Sequence, residues 1–184
     1  MARVRFVEAN EVEGKAKEAY DNYVKTGKLT NMKKALLLDY PTYDAFMGWY
    51  TSWDRLVEII GLQAATIYAH SISTTNSCKL CSLFFISDLQ ALGLDPFDLH
   101  LTEQEQLLSD LGEQIVKNPT AVSDELIAGL KKFYNDTELV VIVGFAAQMI
   151  ATNNFNSVLQ IDVDQRLVPI QDEFKPATWR DDIK

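Results

Sequence analysis

Leu62-Gln63-Ala64-Ala65-Thr66-Ile67-Tyr68-Ala69-His70, then Ser73-Thr74-Thr75-Asn76-Ser77, then Cys78-Lys79-Leu80-Cys81: the reading of the chain turns on this stretch. It holds both cysteines of the 184 residues, three positions apart, and one of the two histidines, eight residues upstream. The polar run 73–77 is poor helix filling and good capping material. The pattern predicts one helix ending near Thr75 and another starting at Cys78, with Asn76 or Ser77 as N-cap. Cys78 then falls in a first turn, where free N–H groups and the helix dipole favour a thiolate. Residues three apart on a helix share a face, which brings Cys81 within reach. On these residues alone two readings stay open. The pair is a redox-active dithiol, or two buried apolar side chains without chemistry. A closed zinc site needs four ligands, and two cysteines with two distant histidines make a weak set. No metal and no cofactor are expected.

Outward from this stretch, hydrophobic residues make up 47% of the chain, enough for a sizeable core. The length fits a single domain over 1–184, with an N-terminal arm (1–10) and an irregular C-terminal tail (161–184). A net charge of −9 argues against nucleic acid or an anionic membrane surface as partner. No apolar segment follows Met1-Ala2-Arg3-Val4-Arg5, and the richest apolar run, Leu139 to Ala151, is too short for a bilayer. A soluble, cytoplasmic protein is expected, in which a CxxC points to redox or metal chemistry rather than a structural staple.

The fold class expected is all-α, a bundle of about eight helices. Apolar 3/4 spacing at Ala16, Ala19, Tyr20 and Tyr23 marks a helix over 11–26, stopped by Gly27. A short helix runs from Met32 to Asp39. The next opens at Pro41 and reaches Ile60, carrying Phe46, Met47, Trp49, Tyr50 and Trp53 as core or subunit interface. Gly61 precedes the stretch quoted above. Thr102 with Glu105 forms a capping box for a helix to Lys117, and Ser123 to Tyr134 reads as another. Asn135 with Glu138 opens the last, to about Gln160, whose apolar run marks it as central and buried. Val140-Val141-Ile142-Val143 has strand propensity, outweighed by the cap and the length of the run. Phe174 and Trp179 predict that the tail lies on its own subunit or a partner.

The order of these features resembles the carboxymuconolactone decarboxylase / AhpD-like superfamily, in particular its peroxidase-related, alkylhydroperoxidase-like branch, over roughly residues 3–160. Three stretches carry it: Gly27 to Leu36 with Tyr40-Pro41, Asn76-Ser77-Cys78-Lys79-Leu80-Cys81, and Glu138 to Leu159. The resemblance implies an AhpD-like helical bundle and a thiol-dependent peroxidase that reduces a small hydroperoxide. It makes Cys81 peroxidatic and Cys78 resolving, with a dithiol or protein reductant to regenerate the pair. It also implies a homo-oligomer (dimer, trimer or hexamer).

This chain departs from the family's proton relay at three matched positions. Thr66 stands where the family has Glu, Leu80 where it has a His between the cysteines, and Phe85 where it has a second His. His70, one helical turn after Thr66, is the residue that could compensate. A structural histidine with one hydrogen bond is the alternative for it. His100, beside Asp95 and Asp98, reads as solvated surface. The competing function is a non-catalytic or redox-sensing oligomer on the same scaffold. Decarboxylase or lactone chemistry ranks last, because the expected lining (Ile67, Tyr68, Phe84, Phe85) is apolar.

Overall fold

The computed structural model describes residues 1–179 and residue 181. Among them are eight α-helices and two 3-10 segments, with no strand. The helices are α1 (Gly14–Thr26), α2 (Asn31–Leu36), α3 (Tyr40–Ile60), α4 (Leu62–Thr75), α5 (Lys79–Ala91), α6 (Glu103–Lys117), α7 (Asp124–Leu130) and α8 (Asp136–Val158). The 3-10 segments cover Pro119–Ala121 and Gln165–Glu173.

The helix starts follow from local chemistry. Thr30 caps α2 by accepting from the Lys33 N–H, and Asp39 caps α3 by accepting from the Thr42 N–H at 3.0 Å. Both predicted capping boxes are present, at Thr102/Glu105 and Asn135/Glu138. Gly27 ends α1 in the left-handed region, at φ 67°.

The central helix is α4, not α8. Ten side chains of α4 are buried, against α3, α5, α6 and α8 around it. Its small residues Ala64, Ala65, Ala69, Ser71 and Ser73 let those neighbours approach closely. Gly112 of α6 marks the tightest point: a Cβ there would stand 2.5 Å from Ser71 Oγ and 3.0 Å from Ile72 Cγ1. α8 buries one face only, through Ile142, Phe145, Ala146 and Met149, and exposes Val140 and Val143. Apolar residues all round α8 hid which side faces the core. At 23 residues it is also long and apolar enough to cross a bilayer, which the shorter run 139–151 was not. Here it serves as a packing helix of the bundle.

Two other segments differ from expectation. α7 stops at Leu130, because the chain turns to bury Tyr134, whose hydroxyl accepts from Gln104 Nε2 at 2.7 Å. The tail is not irregular throughout: Gln165–Glu173 winds as 3-10 helix against α5, with Leu167 fully buried. The arm is extended and fixed, Arg3 N–H donating to the Leu159 carbonyl at 2.8 Å and Val7 N–H to the Lys34 carbonyl at 3.3 Å.

Candidate functional site

The elbow between α4 and α5 is built from backbone hydrogen bonds. Ser77 N–H donates to the Thr74 carbonyl (2.9 Å) and Cys78 N–H to the Ser73 carbonyl (3.0 Å), the paired bonds of a Schellman motif. That motif requires a left-handed residue, and Ser77 takes it at φ 56°. Such a conformation costs a non-glycine residue roughly 1–2 kcal/mol. The residue after it, Cys78, is also the N-cap of α5. Neither Asn76 nor Ser77 caps this helix: both are spent closing α4. The Cys78 sulfur stands in for a capping oxygen and accepts the Cys81 N–H at 3.4 Å.

α8 ends in the same way. Gln160 N–H donates to the Ser157 carbonyl (3.3 Å) and Ile161 N–H to the Asn156 carbonyl (3.0 Å), with Gln160 at φ 49°. Ser77 and Gln160 are the two non-glycine residues at positive φ among those described. Both line one cavity of about 580 Å³, together with Cys78, Lys79, Asn156, Ser157 and Gln171. Strained backbone clusters at functional sites. The lining mixes amides, hydroxyls and aliphatic groups. The expected aromatic lining is absent: Ile67, Tyr68 and Phe85 are core, and Phe84 lies under the Arg166 guanidinium at 4.4 Å.

Cys78 and Cys81 are free thiols, with sulfurs 2.7 Å apart. That is longer than the ~2.05 Å of a disulfide and inside the ordinary contact distance of two sulfurs. Their surroundings differ. The Cys81 thiol and N–H, the Ser157 hydroxyl and the Leu80 N–H all stabilise a thiolate on Cys78, and together they outweigh its burial and lower its pKa. Burial raises the Cys81 thiol well above the ordinary range, and the neighbouring Cys78 raises it further. Two amides oppose this, Asn156, whose Nδ2 donates to Cys81 Sγ at 3.2 Å, and Asn153. The donors around Cys78 favour a thiolate there, while burial disfavours one on Cys81.

The relay positions hold no proton carriers. Thr66 donates its hydroxyl to the Leu62 carbonyl at 2.8 Å. Leu80 is buried, and Phe85 packs against Trp53 with ring centroids 6.2 Å apart. Among the described residues, His70 makes no hydrogen bond to either thiol, and its buried Nε2 has no partner. Burial pushes its pKa down to about 4, so it is neutral at neutral pH and a weak base. His100 is exposed, as expected.

Sequence reading missed Asn153, Asn156 and Ser157. They reach the dithiol from 75 residues away, which no local pattern reveals. A signal was present: from Leu139 to Ile161 no side chain is charged, yet Asn153 and Asn156 are both buried there. A buried amide in such a helix calls for a partner.

The tail closes over the elbow. Trp179 Nε1 donates to the Thr75 carbonyl at 2.7 Å, and Ala177 N–H donates to Ser77 Oγ at 3.0 Å. It lies on its own subunit, one of the two placements its aromatics predicted.

No protein-family model and no curated protein matches the chain in sequence. Solved structures do match in fold. The crystal structure of an uncharacterized peroxidase-related protein from a Silicibacter species is similar at a TM-score of 0.75 and 15% identity, over 90% of this chain and 93% of that one. An uncharacterized peroxidase-related protein from Ralstonia eutropha, described as an alkylhydroperoxidase AhpD core, is similar at 0.69 and 13% identity, over 96% and 98%. The helical fold of this chain is the AhpD-like one.

Proposed function

We propose that this AhpD-like fold works as a thiol-dependent peroxidase, with Cys78 and Cys81 as its two-electron reductant. The observation that carries the reading is the pair itself: two free thiols 2.7 Å apart, one of them a helix N-cap in the wall of a cavity. Two thiols supply the two electrons that cleave an O–O bond and end as an intrachain disulfide. A dithiol, small or protein-borne, then restores them by exchange. A CxxC pair that must cycle through its reduced form suits a reducing, cytoplasmic setting. The partly polar cavity favours a small hydroperoxide. A second copy of the chain is the proposed partner for the uncharged face of α8, where Val140 is 72% and Val158 61% exposed.

The test is to reduce the protein, add one equivalent of tert-butyl hydroperoxide, and follow thiol loss against a simple thiol at the same pH. Both cysteines are expected to be lost together and faster than the reference. Loss no faster than the reference removes the reading.

One observation favours the alternative, a redox-sensing protein without turnover. Both cysteines are nearly closed to solvent, at 1% and 4% exposure, and the relay positions are filled by Thr66, Leu80 and Phe85. Steady hydroperoxide consumption with a dithiol reductant excludes that alternative.

A further inference from the structure

We propose that Cys78 is the attacking sulfur in this chain and that the Cys81 thiol, standing in for the absent relay, delivers the proton to the leaving group. The assignment rests on the peroxidase reading and reverses the roles that the family resemblance implies.

Four observations carry it. Cys78 forms part of the cavity wall and Cys81 does not. At 1% and 4% exposure Cys78 and Cys81 are both nearly closed to solvent, so exposure does not decide against Cys78. Cys78 sits at the N-cap of a 13-residue helix, where N–H groups and the helix dipole favour negative charge. The matched relay positions offer no acid: Thr66 is committed to the Leu62 carbonyl, Leu80 and Phe85 carry no proton, and no described hydrogen bond joins His70 to the pair. Lys79 and the Met1 amino group also line the cavity, but no described hydrogen bond joins either to a sulfur, and the Met1 amino group pairs with Asp162. Ser157 stabilises the Cys78 thiolate, but a hydroxyl is a far weaker acid than a thiol. The group with a transferable proton next to Cys78 Sγ is Cys81, 2.7 Å away.

The steps balance. Cys78 begins as thiolate, its proton having gone to solvent. Its sulfur attacks one peroxide oxygen of ROOH; the O–O bond breaks, an S–O bond forms, and Cys78 becomes a sulfenic acid. The electron pair of the O–O bond leaves on RO⁻, which takes the proton of Cys81 to give ROH. Loss of that proton turns Cys81 into the nucleophile needed next. Its thiolate attacks the Cys78 sulfenic sulfur, the S–O bond breaks, and hydroxide leaves and is protonated by solvent to water. Two thiols and ROOH have become a disulfide, ROH and water, and a dithiol reductant returns the pair to its start.

Trypsin separates the two cysteines, since cleavage after Lys79 leaves Cys78 on 56–79 and Cys81 on 80–117. The reduced full chain is pulsed with limiting iodoacetamide at pH 7 and mapped. Label is expected first on Cys78; label first or equally on Cys81 overturns the assignment. In parallel, Cys78→Ser and Cys81→Ser proteins receive tert-butyl hydroperoxide with dimedone, which traps sulfenic acid. Cys81→Ser is expected to trap on Cys78 within about tenfold of the wild-type oxidation rate, its serine hydroxyl keeping a hydrogen bond but supplying a poorer acid. Cys78→Ser is expected to trap on Cys81 at least about 100-fold more slowly. Rapid trapping on Cys81, or an inert Cys81→Ser protein beside a fast wild type, overturns the proposal. A wild type no faster than a simple thiol instead removes the peroxidase reading. Circular dichroism of each variant separates misfolding from these outcomes.

Discussion

Two buried polar groups in this fold invite comparison: the dithiol at the α4–α5 elbow and the ammonium of Lys33 on α2. Lys33 is 5% exposed. Its Nζ donates to the Lys28 carbonyl at 2.8 Å and lies 3.8 Å from the Tyr23 ring centroid and 5.1 Å from that of Tyr50. The Tyr43 hydroxyl donates to that of Tyr23 at 3.2 Å, fixing the cage. Cation–π contacts and one carbonyl hold the charge, and Lys33 is not part of the cavity wall that holds Cys78. The cysteine pair has donors too, but Cys78 lines a cavity between two helix ends closed by left-handed residues. Burial with saturated partners makes Lys33 a structural charge. Under the proposed function, burial beside a cavity with a lowered thiol makes Cys78 a chemical one.

The largest test of that contrast is Cys78→Ser against Lys33→Met. Cys78→Ser is expected to lower hydroperoxide turnover by roughly 10³-fold or more, the scale of removing a nucleophile. Lys33→Met keeps the apolar stem and should leave turnover unchanged, measured as dithiol-dependent hydroperoxide loss. A Lys33→Met protein that folds normally but loses turnover breaks the contrast.

Within the dithiol the next effect is at Asn156, whose Nδ2 donates to Cys81 Sγ. That bond lowers the Cys81 pKa against its burial. Asn156→Leu removes it and is expected to slow disulfide closure by roughly tenfold, the value of a hydrogen bond to a charged group. Sulfenic acid formation on Cys78 should slow less, because the attacking sulfur is untouched and only its proton donor becomes a poorer acid. Rapid-quench trapping with dimedone separates the two steps, and equal slowing of both contradicts the division of roles.

Lys33 predicts a pH effect instead. Its pKa is pushed down to about 8, mainly by burial, while the unfolded chain has it near 10.4. Between those values the unfolded state binds more protons, so stability rises with pH from about 8 toward 10. Below pH 8 both states are protonated and the full penalty of burying the charge is present. The contribution is on the order of 1–2 kcal/mol after discounting for solvent screening. In urea unfolding, the change in stability from pH 7.5 to 9.5 should be more positive in wild type than in Lys33→Met, a difference from which the thiols' own titration in this range cancels. Tyr43 and Tyr50 titrate in the opposite sense only above this window, their hydroxyls being raised by burial.

Much of this arrangement was legible because it is local. Thr102 with Glu105 and Asn135 with Glu138 place helix starts within four residues, and Gly27 and Gly61 place boundaries. The CxxC pair was equally plain. What was hidden depends on contacts distant in sequence. Cys78 as N-cap was misread because Asn76 and Ser77 are better capping residues by type. Closing α4 claims them first, and that competition does not show in propensities. Asn156 and Ser157 reach the pair only once α8 packs beside α5. Nothing in the sequence around Lys33 marks it as buried; Tyr23 and Tyr50, from other helices, enclose it. α8 looked central because its sequence is apolar all round, whereas small side chains put α4 there.

The smallest effect concerns how each group is covered. Lys33 is enclosed by packed helices, while the elbow beside Cys78 is strapped by residues 174–179 of the tail. The Trp179 ring N–H holds the Thr75 carbonyl, one of the last carbonyls of α4, which lack helical partners. Trp179→Ala removes that bond, whose net worth is roughly 1 kcal/mol. The elbow should then open up to about fivefold more often, the Boltzmann weight of the same 1 kcal/mol. Iodoacetamide labelling of Cys78 should rise by up to that factor, read on the tryptic peptide 56–79. Acylation of Lys33 by a small amine-reactive reagent should not change, because its cage partners Lys28, Tyr23 and Tyr50 lie far from residues 174–179 in the chain and none of their described contacts is to that strap. Parallel rises at both sites mean that Trp179 supports the whole bundle rather than the elbow. A rise at Cys78 alone ties access to the dithiol to a strap that can lift without unfolding the helices beneath it.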